Sequence, residues 1–554
     1  MTEPNAGDVA LACMRELADE LSQGGVEMVC VSPGSRSTPL VLAFARHGSF
    51  DVRVVLDERS AAFFALGRAR ATRRPVALVC TSGTSTANYL PAIVEASLSG
   101  VPLVVLTADR PPALRGTGAN QTIDQHQLYG GYVRFFMETG VPRAHAHAAK
   151  TWRQLARRAL DAAQDGPVHI NLPFDEPLTP SGAEVDIGQP DPKPTRNLTT
   201  PAPKVEPAID FLNRDKGVIL AGQIDDGANE IVELAEVLGW PLIAEPVSGL
   251  RIPERALSAG QALLSDERFS ADHVPDVVLQ FGRAPTSRAS QRLAARAGAL
   301  IVAGPRPADP DKRATWKIAA TEREAARALL KVVPQIGEES WLKEWTDADA
   351  VARAAVDAFL DAEKQPLELR VARDVAAAVP EDGSLVVASS TPVRDLDYAM
   401  APRALRVIAN RGASGIDGFV STALGVASTG FPTVALAGDL SMLHDASGLI
   451  WGARRGQPVT FVVLNNKGGG IFDLLPSATL AENDDLFVAA HEVEMRALAE
   501  AAGAAYEIGT DVSALVAQPR EKTTILEVPI DRARAVKRRV ALKKAVAKAL
   551  SGAG

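Results

Sequence analysis

The chain has 554 residues, of which 46% are hydrophobic and 23% charged, a balance typical of folded, core-forming proteins. At about 150 residues per domain, a chain of this length is expected to form roughly three or four domains. Lys and Arg total 59 against 67 for Asp and Glu, and the resulting net charge of −8 argues against nucleic acid as a partner.

Cysteine usage and hydrophobic runs indicate a reducing, aqueous compartment. The 3 cysteines lie far apart, so neither a disulfide framework nor a cysteine-based zinc site is expected. Residues 1–8 lack the basic and apolar regions of a secretory signal. Runs such as 101–106 and 461–464 are shorter than the roughly 20 residues of a membrane helix. We therefore expect a cytoplasmic protein without membrane insertion.

The first part of the chain alternates short apolar runs with helical patterns. Continuous apolar strands separated by helices indicate a parallel sheet that is covered on both faces. We therefore predict a doubly wound α/β domain over residues 1–180. The predicted strands are 28–31, 52–56, 76–80 and 103–107, and the predicted helices are 40–46, 60–71 and 87–98.

A proline-rich stretch, 181–208, interrupts this pattern and is predicted to be an interdomain linker. Two further α/β regions follow, 209–345 and 346–554, so the predicted fold class is α/β with three doubly wound parallel-sheet domains. The basic segment 532–550 is predicted to be a solvated terminal helix rather than a membrane-surface helix, because its apolar positions are mostly Ala and Val. The predicted strands in these regions are 218–221, 241–244, 277–281, 299–303, 385–388, 406–409, 433–437, 459–464 and 523–528.

Polar residues follow the predicted strands at the edge where open parallel sheets bind ligands. Asp439 ends one strand of the third region and Asn466 ends the next, with a single helix predicted between them at 443–455. Oxygen-bearing side chains suit Mg²⁺, which commonly joins protein ligands to phosphates. Gly438 has no side chain, so the backbone can approach a ligand closely at this point. Backbone N–H groups from Ser441 onward can bind phosphate. The alternative is that Asp439 only caps a helix and Asn466 only forms a turn.

The pattern Gly438-Asp439 followed by Asn465-Asn466 resembles the magnesium–diphosphate motif of thiamine-diphosphate enzymes, with Leu440 where many of these enzymes have a third glycine. A narrower resemblance is to the 2-succinyl-5-enolpyruvyl-6-hydroxy-3-cyclohexene-1-carboxylate synthases of menaquinone biosynthesis. The segments that carry it follow the order found in that family, and they are 32–39, 57–59, 81–84, 118–122, 410–418 and 465–472.

The resemblance implies a pyrimidine-binding domain at 1–180, a central domain at 209–345 and a diphosphate- and magnesium-binding domain at 346–554. It implies that Glu58 is catalytic and hydrogen-bonds the aminopyrimidine ring of thiamine diphosphate. The residue alone also allows a carboxylate that is merely stabilised by a helix dipole. The implied cofactor contacts are Pro33, Glu58, Thr81, Gly83, Ser390, Ile416, Gly438, Asp439, Leu440, Ser441, Asn466, Gly469 and Ile471.

The resemblance further implies Mg²⁺, with Mn²⁺ accepted in its place, bound by Asp439, Asn466 and the carbonyl of Gly468. In the family, the pyrimidine end of the cofactor lies against one subunit and the diphosphate against another. A homodimer or a dimer of dimers is therefore expected.

The substrates implied by the resemblance are 2-oxoglutarate and isochorismate. A transferase of this type decarboxylates the first and joins the remaining carbanion to the second. Together these substrates carry four carboxylates, which planar arginine side chains bind well. The implied substrate contacts are Ser35, Arg36, Arg110, Asn120, Gln121, Arg288, Ser390, Arg394, Arg411, Phe472 and Leu475.

Two other functions stay open from the sequence. One is an acetolactate-synthase-like enzyme or a 2-oxoacid decarboxylase, although pyruvate needs only one carboxylate clamp. The other is a non-catalytic cofactor-binding regulator on the same fold. A protein that only binds the diphosphate does not need a carboxylate at position 58. At a finer level, Ile471, Phe472 and Leu475 form either an apolar wall over the thiazolium ring or the first turns of a core-facing helix.

Overall fold

The computed structural model describes residues 3–190, 202–333 and 339–552. These residues form three α/β units in chain order, each built on one parallel sheet. The predicted fold class is therefore confirmed. Within the described residues, no helix is both long and apolar enough to cross a membrane.

The first unit is built on six parallel strands. They are β1 (Met28–Val31), β2 (Asp51–Val54), β3 (Val76–Cys80), β4 (Leu103–Asp109), β5 (Phe136–Glu138) and β6 (Val168–Pro173). The sheet order is β2-β1-β3-β4-β6-β5. The strands β1, β3 and β4 are buried along their whole length because helices cover both faces. The α-helices are α1 (Ala6–Gln23), α2 (Thr38–His47), α3 (Glu58–Thr72), α4 (Thr84–Asn88), α5 (Leu90–Ser99) and α6 (Ala148–Ala163).

The central unit contains a five-stranded parallel sheet. Its strands are β7 (Gly217–Ala221), β8 (Leu242–Ala244), β9 (Val277–Phe281), β10 (Ala299–Gly304) and β11 (Trp316–Ala319). Their order in the sheet is β11-β10-β9-β7-β8. The α-helices are α7 (Ile209–Leu212), α8 (Ala228–Leu238), α9 (Gly260–Ser265), α10 (Glu267–Asp272), α11 (Arg288–Arg296) and α12 (Glu322–Leu330).

The third unit has a six-stranded parallel sheet. Its strands are β12 (Ser384–Val387), β13 (Arg406–Ile408), β14 (Thr433–Gly438), β15 (Val459–Asn465), β16 (Ala505–Ile508) and β17 (Thr524–Pro529). Their order is β13-β12-β14-β15-β17-β16, so β14 and β15 are neighbours. The α-helices are α13 (Glu339–Asp361), α14 (Glu368–Ala378), α15 (Thr391–Ala399), α16 (Phe419–Ala427), α17 (Asp439–His444), α18 (Ala446–Gly452), α19 (Met495–Ala502), α20 (Val512–Val516) and α21 (Arg532–Gly552).

Four strands are absent from the sequence-based prediction. Three of them, β5, β11 and β16, are short and partly exposed edge strands, so they lack a continuous apolar run. The fourth, β6, is fully buried but carries His169 and Asn171. These two polar residues interrupt the hydrophobic signal of a buried strand.

The single helix predicted at 443–455 is wrong, because the chain forms α17 and α18 with a break at Asp445. Asp445 has φ −119° and ψ 35°, outside the helical range. Its buried carboxylate accepts hydrogen bonds from Ser421 N (2.6 Å) and Ser60 Oγ (3.2 Å). The side chain thus joins α16 to the start of α3, and these tertiary bonds replace helix continuity.

The first and third units pack through α3 and α16, which approach closely at glycines. A Cβ atom at Gly67 would lie 2.2 Å from the carbonyl oxygen of Thr422. A Cβ at Gly425 would lie 2.1 Å from the carbonyl oxygen of Phe64. Only glycine fits at these two positions, and the contact fixes α3 against the third unit.

Helix α13 connects the central and third units. Trp341 Nε1 donates to Gly217 O of the central unit at 2.9 Å, and Arg353 NH1 donates to Ala399 O of the third unit at 3.1 Å. The predicted domain boundary between residues 345 and 346 falls inside this helix. The domain limits stay predictions, and residues 191–201 of the predicted linker lie outside the described residues.

The prediction of a solvated C-terminal helix is wrong for one face of α21. Ala535, Leu542 and Val546 on that face are buried. Arg539 of the same helix forms an ion pair with the buried Asp395. The basic character of this segment therefore partly reflects internal ion pairs.

Candidate active site

Glu58 lies at the start of α3, after the helix-capping residue Asp57. The Glu58 carboxylate accepts hydrogen bonds from Ser85 Oγ (2.5 Å) and Asn88 Nδ2 (3.3 Å). The residue is half-buried. Its carboxylate is thus oriented by two neutral donors and stays accessible to a ligand.

Two loops at the carboxyl edge of the first sheet carry Pro33, Thr81 and Gly83. They touch each other, because a Cβ at Gly34 would lie 2.3 Å from Thr81 Cβ. Gly83 has φ +87°, a conformation that favours glycine, and its N–H donates to Gln125 Oε1 at 2.9 Å. Pro33 is exposed and Thr81 is buried. These cofactor-binding candidates therefore lie on one surface.

Arg36 and Arg110 lie near these loops. Buried Arg36 donates to Phe174 O (3.0 Å) and to Glu176 Oε1 (2.7 Å). Arg110 donates to Ser82 Oγ at 2.7 Å. Partial burial, together with the nearby positive charge of Arg36, lowers the pKa of Arg110. The structure thus brings two predicted substrate arginines close together, where an anionic ligand would relieve their repulsion.

Gln121 makes two hydrogen bonds with Ser82. Its side-chain Nε2 donates to Ser82 O at 3.0 Å, and its backbone carbonyl accepts from Ser82 Oγ at 3.0 Å. It adopts a positive φ of 54°. Ser35 and Asn120 are exposed on this side of the unit. Arg110 and Gln121 therefore both contact Ser82.

Asp439, directly after β14, is almost fully buried. Its two carboxylate oxygens accept from Leu440 N (2.6 Å) and Gly468 N (3.0 Å). Burial raises the pKa of the Asp439 carboxyl, and the backbone hydrogen bonds oppose this rise. A divalent cation beside the carboxylate would favour its ionised form further. Gly438 ends β14, and Ser441 lies buried in α17.

Asn466, directly after β15, has a buried Oδ1 atom without a hydrogen-bond partner. Its Nδ2 donates to Glu368 Oε1 at 3.3 Å. A buried oxygen without a partner fits a cation site, since Mg²⁺ prefers oxygen ligands. Within the described residues, no cluster of three or more His, Cys, Asp or Glu residues forms another candidate metal site.

The glycine segment after Asn466 supplies backbone groups. Gly468 has φ +149°, and a Cβ there would lie 2.7 Å from Val488. The carbonyl oxygen of Gly468 accepts from Gly470 N at 3.0 Å, which leaves one lone pair for another partner. Gly469 N donates to Val488 O at 2.6 Å. The loop is thus held closely against the segment that contains Val488.

Ile471, Phe472 and Leu475 follow in and just after a short 3-10 helix, Gly470–Leu474. None of the residues of this helix is fully buried, so they do not form a core-facing turn. The Phe472 ring lies 5.9 Å from the Phe487 ring, centroid to centroid. A partly exposed apolar surface is the arrangement expected of a ligand-facing wall.

Two further predicted arginines, Arg394 and Arg411, line a cavity of about 560 Å³ between the central and third units. Arg411 donates to Ser389 Oγ (3.3 Å) and to Thr286 Oγ1 (3.1 Å), and Arg394 donates to Ser390 O (2.6 Å). Burial lowers the pKa of Arg411 and of Arg394. Burial disfavours the charged form of an arginine, and a nearby anion favours it. These two side chains are therefore suited to bind an anionic ligand.

Three other predicted residues lie close to this cavity or before α16. Arg288 is the exposed first residue of α11, and its positive charge adds to the lowering of the Arg394 pKa. Ser390 has a positive φ of 74° at the start of α15. Ile416 is half-buried in the segment that leads to α16.

The structure adds residues that the sequence analysis did not identify. Glu245, on the cavity wall, is buried and accepts from Thr286 N at 2.5 Å, and burial raises the pKa of Glu245. His491 Nε2 lies 3.4 Å from Asp439 Oδ2. Glu368 holds the Asn466 amide. No motif spacing connects these residues to the site, because their proximity arises only from tertiary packing.

The two halves of the candidate site belong to different units. In the described residues, no hydrogen bond joins Glu58 to Asp439 or Asn466. Instead, the residues that flank Glu58 contact the α17–α18 region, as in the bond from Arg59 NH2 to His444 O at 2.8 Å.

Comparison with known families defines the class of the protein. Residues 13–128 match the thiamine pyrophosphate enzyme N-terminal TPP binding domain. Residues 191–387 match the middle domain of thiamine pyrophosphate enzymes, and residues 397–527 match the C-terminal TPP binding domain. The chain is therefore a thiamine pyrophosphate enzyme, and thiamine diphosphate is the cofactor of this class.

Similar proteins narrow the class. A protein of Thermobifida fusca is 44% identical and covers 97% of this chain and 99% of its own length. Relatives from Geobacillus thermodenitrificans and Chloroflexus aurantiacus are each 40% identical, and they cover 86% and 90% of the chain and 86% and 89% of their own lengths. All three carry the name 2-succinyl-5-enolpyruvyl-6-hydroxy-3-cyclohexene-1-carboxylate synthase. The chain belongs to this synthase family.

Proposed function

We propose that the protein decarboxylates 2-oxoglutarate and adds the remaining four-carbon carbanion to isochorismate in a 1,4-addition. The products are 2-succinyl-5-enolpyruvyl-6-hydroxy-3-cyclohexene-1-carboxylate and CO₂, in menaquinone biosynthesis. The observation that carries the proposal is the 44% identity to a synthase of this name over 97% of the chain. The candidate site described above supplies the groups that this chemistry needs.

Glu58 is the proposed proton-holding residue. When bound, thiamine diphosphate supplies the stabilisation of a carbanion at the former carbonyl carbon. The Glu58 carboxylate shares a proton with the aminopyrimidine ring and keeps that ring oriented. Its hydrogen bonds from Ser85 and Asn88 support this role, because neutral donors orient a carboxylate without neutralising it.

Asp439, Asn466 and the Gly468 carbonyl are the proposed ligands of Mg²⁺, with Mn²⁺ accepted in its place. Their donor set is all oxygen, which matches the preference of both ions. The unpaired buried Oδ1 of Asn466 and the free lone pair on Gly468 support this assignment. When bound, the cation would supply positive charge to neutralise the diphosphate, and the Gly438–Ser441 segment would hold the diphosphate with its backbone N–H groups.

Two arginine groups are the proposed carboxylate sites. Arg36 and Arg110 form one of them, beside Ser35, Asn120 and Gln121. Arg394 and Arg411 form the other, on the wall of the cavity between the central and third units, and Arg288 adds its positive charge beside Arg394. Guanidinium groups bind carboxylates in a bidentate manner, which orients a dicarboxylate more firmly than lysine would. The central domain would then contribute to substrate binding through Thr286.

We further propose a homodimer, or a dimer of dimers, in the cytoplasm. The side chains of Leu56, beside Glu58, and of Leu486 are 76% and 72% exposed. Large exposed apolar side chains near a site support burial by a partner subunit. The three cysteines are free and buried, and burial raises the pKa of each thiol to about 12. Free thiols are consistent with a reducing compartment.

The test is to supply purified protein with Mg²⁺, thiamine diphosphate, 2-oxoglutarate and isochorismate. We expect one CO₂ released for each adduct formed, and an adduct of the mass given by joining the two substrates with loss of CO₂. Omitting isochorismate should abolish the adduct. Absence of the adduct, with acetolactate formed from pyruvate, would contradict the proposal.

A further inference from the structure

Glu368, at the start of α14, connects the candidate metal ligand Asn466 to the C-terminal helix. The residue is only 3% exposed. One of its carboxylate oxygens, Oε1, accepts from Asn466 Nδ2 at 3.3 Å. The other, Oε2, accepts from Arg539 of α21. Glu368 therefore lies between Arg539, whose guanidinium is always charged, and the amide of Asn466.

The contact with Glu368 determines which way the Asn466 amide points. An amide group has a donating end and an accepting end of nearly equal size, and only its partners distinguish them. Because an ionised carboxylate can only accept, Asn466 must turn its NH₂ group toward Glu368. The Oδ1 atom then points the opposite way, and it is the buried atom that lacks a partner.

Arg539 fixes Glu368 in this position. Its guanidinium also contacts both carboxylate oxygens of Asp395, one of them at 2.6 Å. Opposite charges on Asp395 and Glu368 raise the pKa of Arg539, although its burial acts in the other direction. Removing one member of a buried ion group leaves an uncompensated charge, so the three side chains hold one another in place.

We propose that Glu368, held by Arg539, is a positioning residue that presents the Asn466 oxygen to the divalent cation. This inference rests on the proposed function, because it takes Asn466 as a ligand of that cation. Hydrogen-bond partners of metal ligands set ligand orientation in this way, and their loss typically weakens metal binding. The C-terminal helix thus contributes to cofactor binding without touching the cofactor.

Glu363, in the connection between α13 and α14, provides a matched control. It is 4% exposed, and it forms ion pairs with Arg534 and Arg538 of α21. It has no hydrogen bond to Asn466 among the bonds of the described residues. Substitutions at Glu363 and Glu368 therefore remove comparable buried ion pairs, but only the second removes the acceptor of the Asn466 amide.

The experiment compares Glu368→Met with Glu363→Met, since methionine is unbranched like glutamate and carries no charge. Mg²⁺ is titrated into metal-free protein with saturating thiamine diphosphate, and heat is measured. We expect Glu368→Met to weaken Mg²⁺ binding about 10- to 100-fold, the range for such partners, while Glu363→Met stays within about twofold of the unchanged protein. Thermal unfolding of the metal-free variants, which reports a merely structural loss, should fall similarly in both.

A conservative pair covers the case in which the methionine variants do not fold. Glu368→Gln keeps an acceptor oxygen and should lose less than about tenfold in Mg²⁺ affinity, but more than Glu363→Gln. Equal Mg²⁺ affinity in the Glu368 and Glu363 variants would overturn the positioning role alone. Thiamine-diphosphate binding that needs no divalent cation in the unchanged protein would overturn both this role and the proposed metal site.

Discussion

Asn466 carries a buried carbonyl oxygen that accepts no hydrogen bond, although Asp439 and Gly468 lie in the same group of loops. An unsatisfied buried polar atom costs about 1–3 kcal/mol. A divalent cation would offset this cost by coordinating the oxygen. At the level of single residues, this unpaired oxygen supports the proposed cation site, because Mg²⁺ prefers oxygen ligands.

Asp439→Asn tests the contribution of the carboxylate charge. The substitution keeps the size of the side chain but removes the negative charge, so Mg²⁺-dependent binding of thiamine diphosphate should weaken at least about tenfold. Calorimetry with and without a chelator measures the change. Asp485→Asn, at an exposed position, is the control. Unchanged affinity in Asp439→Asn would exclude this carboxylate as a ligand.

Glu58→Gln separates cofactor binding from proton transfer. Glutamine keeps the shape of the side chain and can still accept from Ser85, so thiamine diphosphate should bind with similar affinity. Turnover should fall about 10²- to 10⁴-fold, the range for a lost acid–base group. Steady-state kinetics and calorimetry on the same preparation measure both quantities. Full turnover by the variant would remove Glu58 from the chemistry.

At the scale of elements, α12 begins with a glutamate whose charge is disfavoured. Burial raises the pKa of Glu322 to about 7, and the nearby Asp225 and Asp226 add to the rise. One of its carboxylate oxygens lacks a hydrogen-bond partner. The neutral form therefore stabilises the fold below the ordinary pKa of 4.5, and this stability is lost as the pH rises through about 7.

Glu322→Gln should accordingly stabilise the protein at high pH. The free energy of unfolding at pH 8 should exceed that of the unchanged protein by up to about 3 kcal/mol, and the difference should vanish near pH 4. Urea unfolding at both pH values measures it. Glu267→Gln, at an exposed first position of another helix, is the control. A difference independent of pH would contradict the assignment.

Local pattern accounts for the elements that were predicted correctly. Val76–Cys80 and Val459–Asn465 are apolar runs that end in polar residues, and such runs reveal both a buried strand and its ligand-binding end. The break at Asp445 could not be predicted, because it depends on hydrogen bonds from Ser60 and Ser421, which are distant in sequence. The contact between Glu368 and Asn466 could not be predicted for the same reason, because the two residues are distant in sequence.

At the scale of the whole molecule, all three units meet at the loop that carries Arg411. Glu95 of the first unit accepts from Gly412 N (2.7 Å) and Ala413 N (2.6 Å). Arg283 of the central unit donates to Gly412 O at 3.0 Å. The position of Arg411 therefore depends on the packing of the whole chain, which the sequence motifs do not encode locally.

A site shared between subunits predicts recovery of activity in mixed dimers. Glu58→Gln and Asp439→Asn should each be nearly inactive alone. Mixing the two after subunit exchange should restore activity, because a mixed dimer combines an intact Glu58 with an intact Asp439 at one of its sites. Assays before and after exchange measure the recovery. No recovery, despite mixed dimers detected by mass spectrometry, would place the site within one chain.

Asp439, Asn466 and Gly468 are the proposed ligands of a divalent cation that would anchor thiamine diphosphate. The most direct test of this assignment is the anomalous scattering of Mn²⁺ in crystals grown with Mn²⁺ and thiamine diphosphate. We expect one strong peak in coordination contact with an oxygen of each of these three residues and with the diphosphate. A cofactor bound with the Mn²⁺ peak elsewhere, or with no peak, would contradict the assignment.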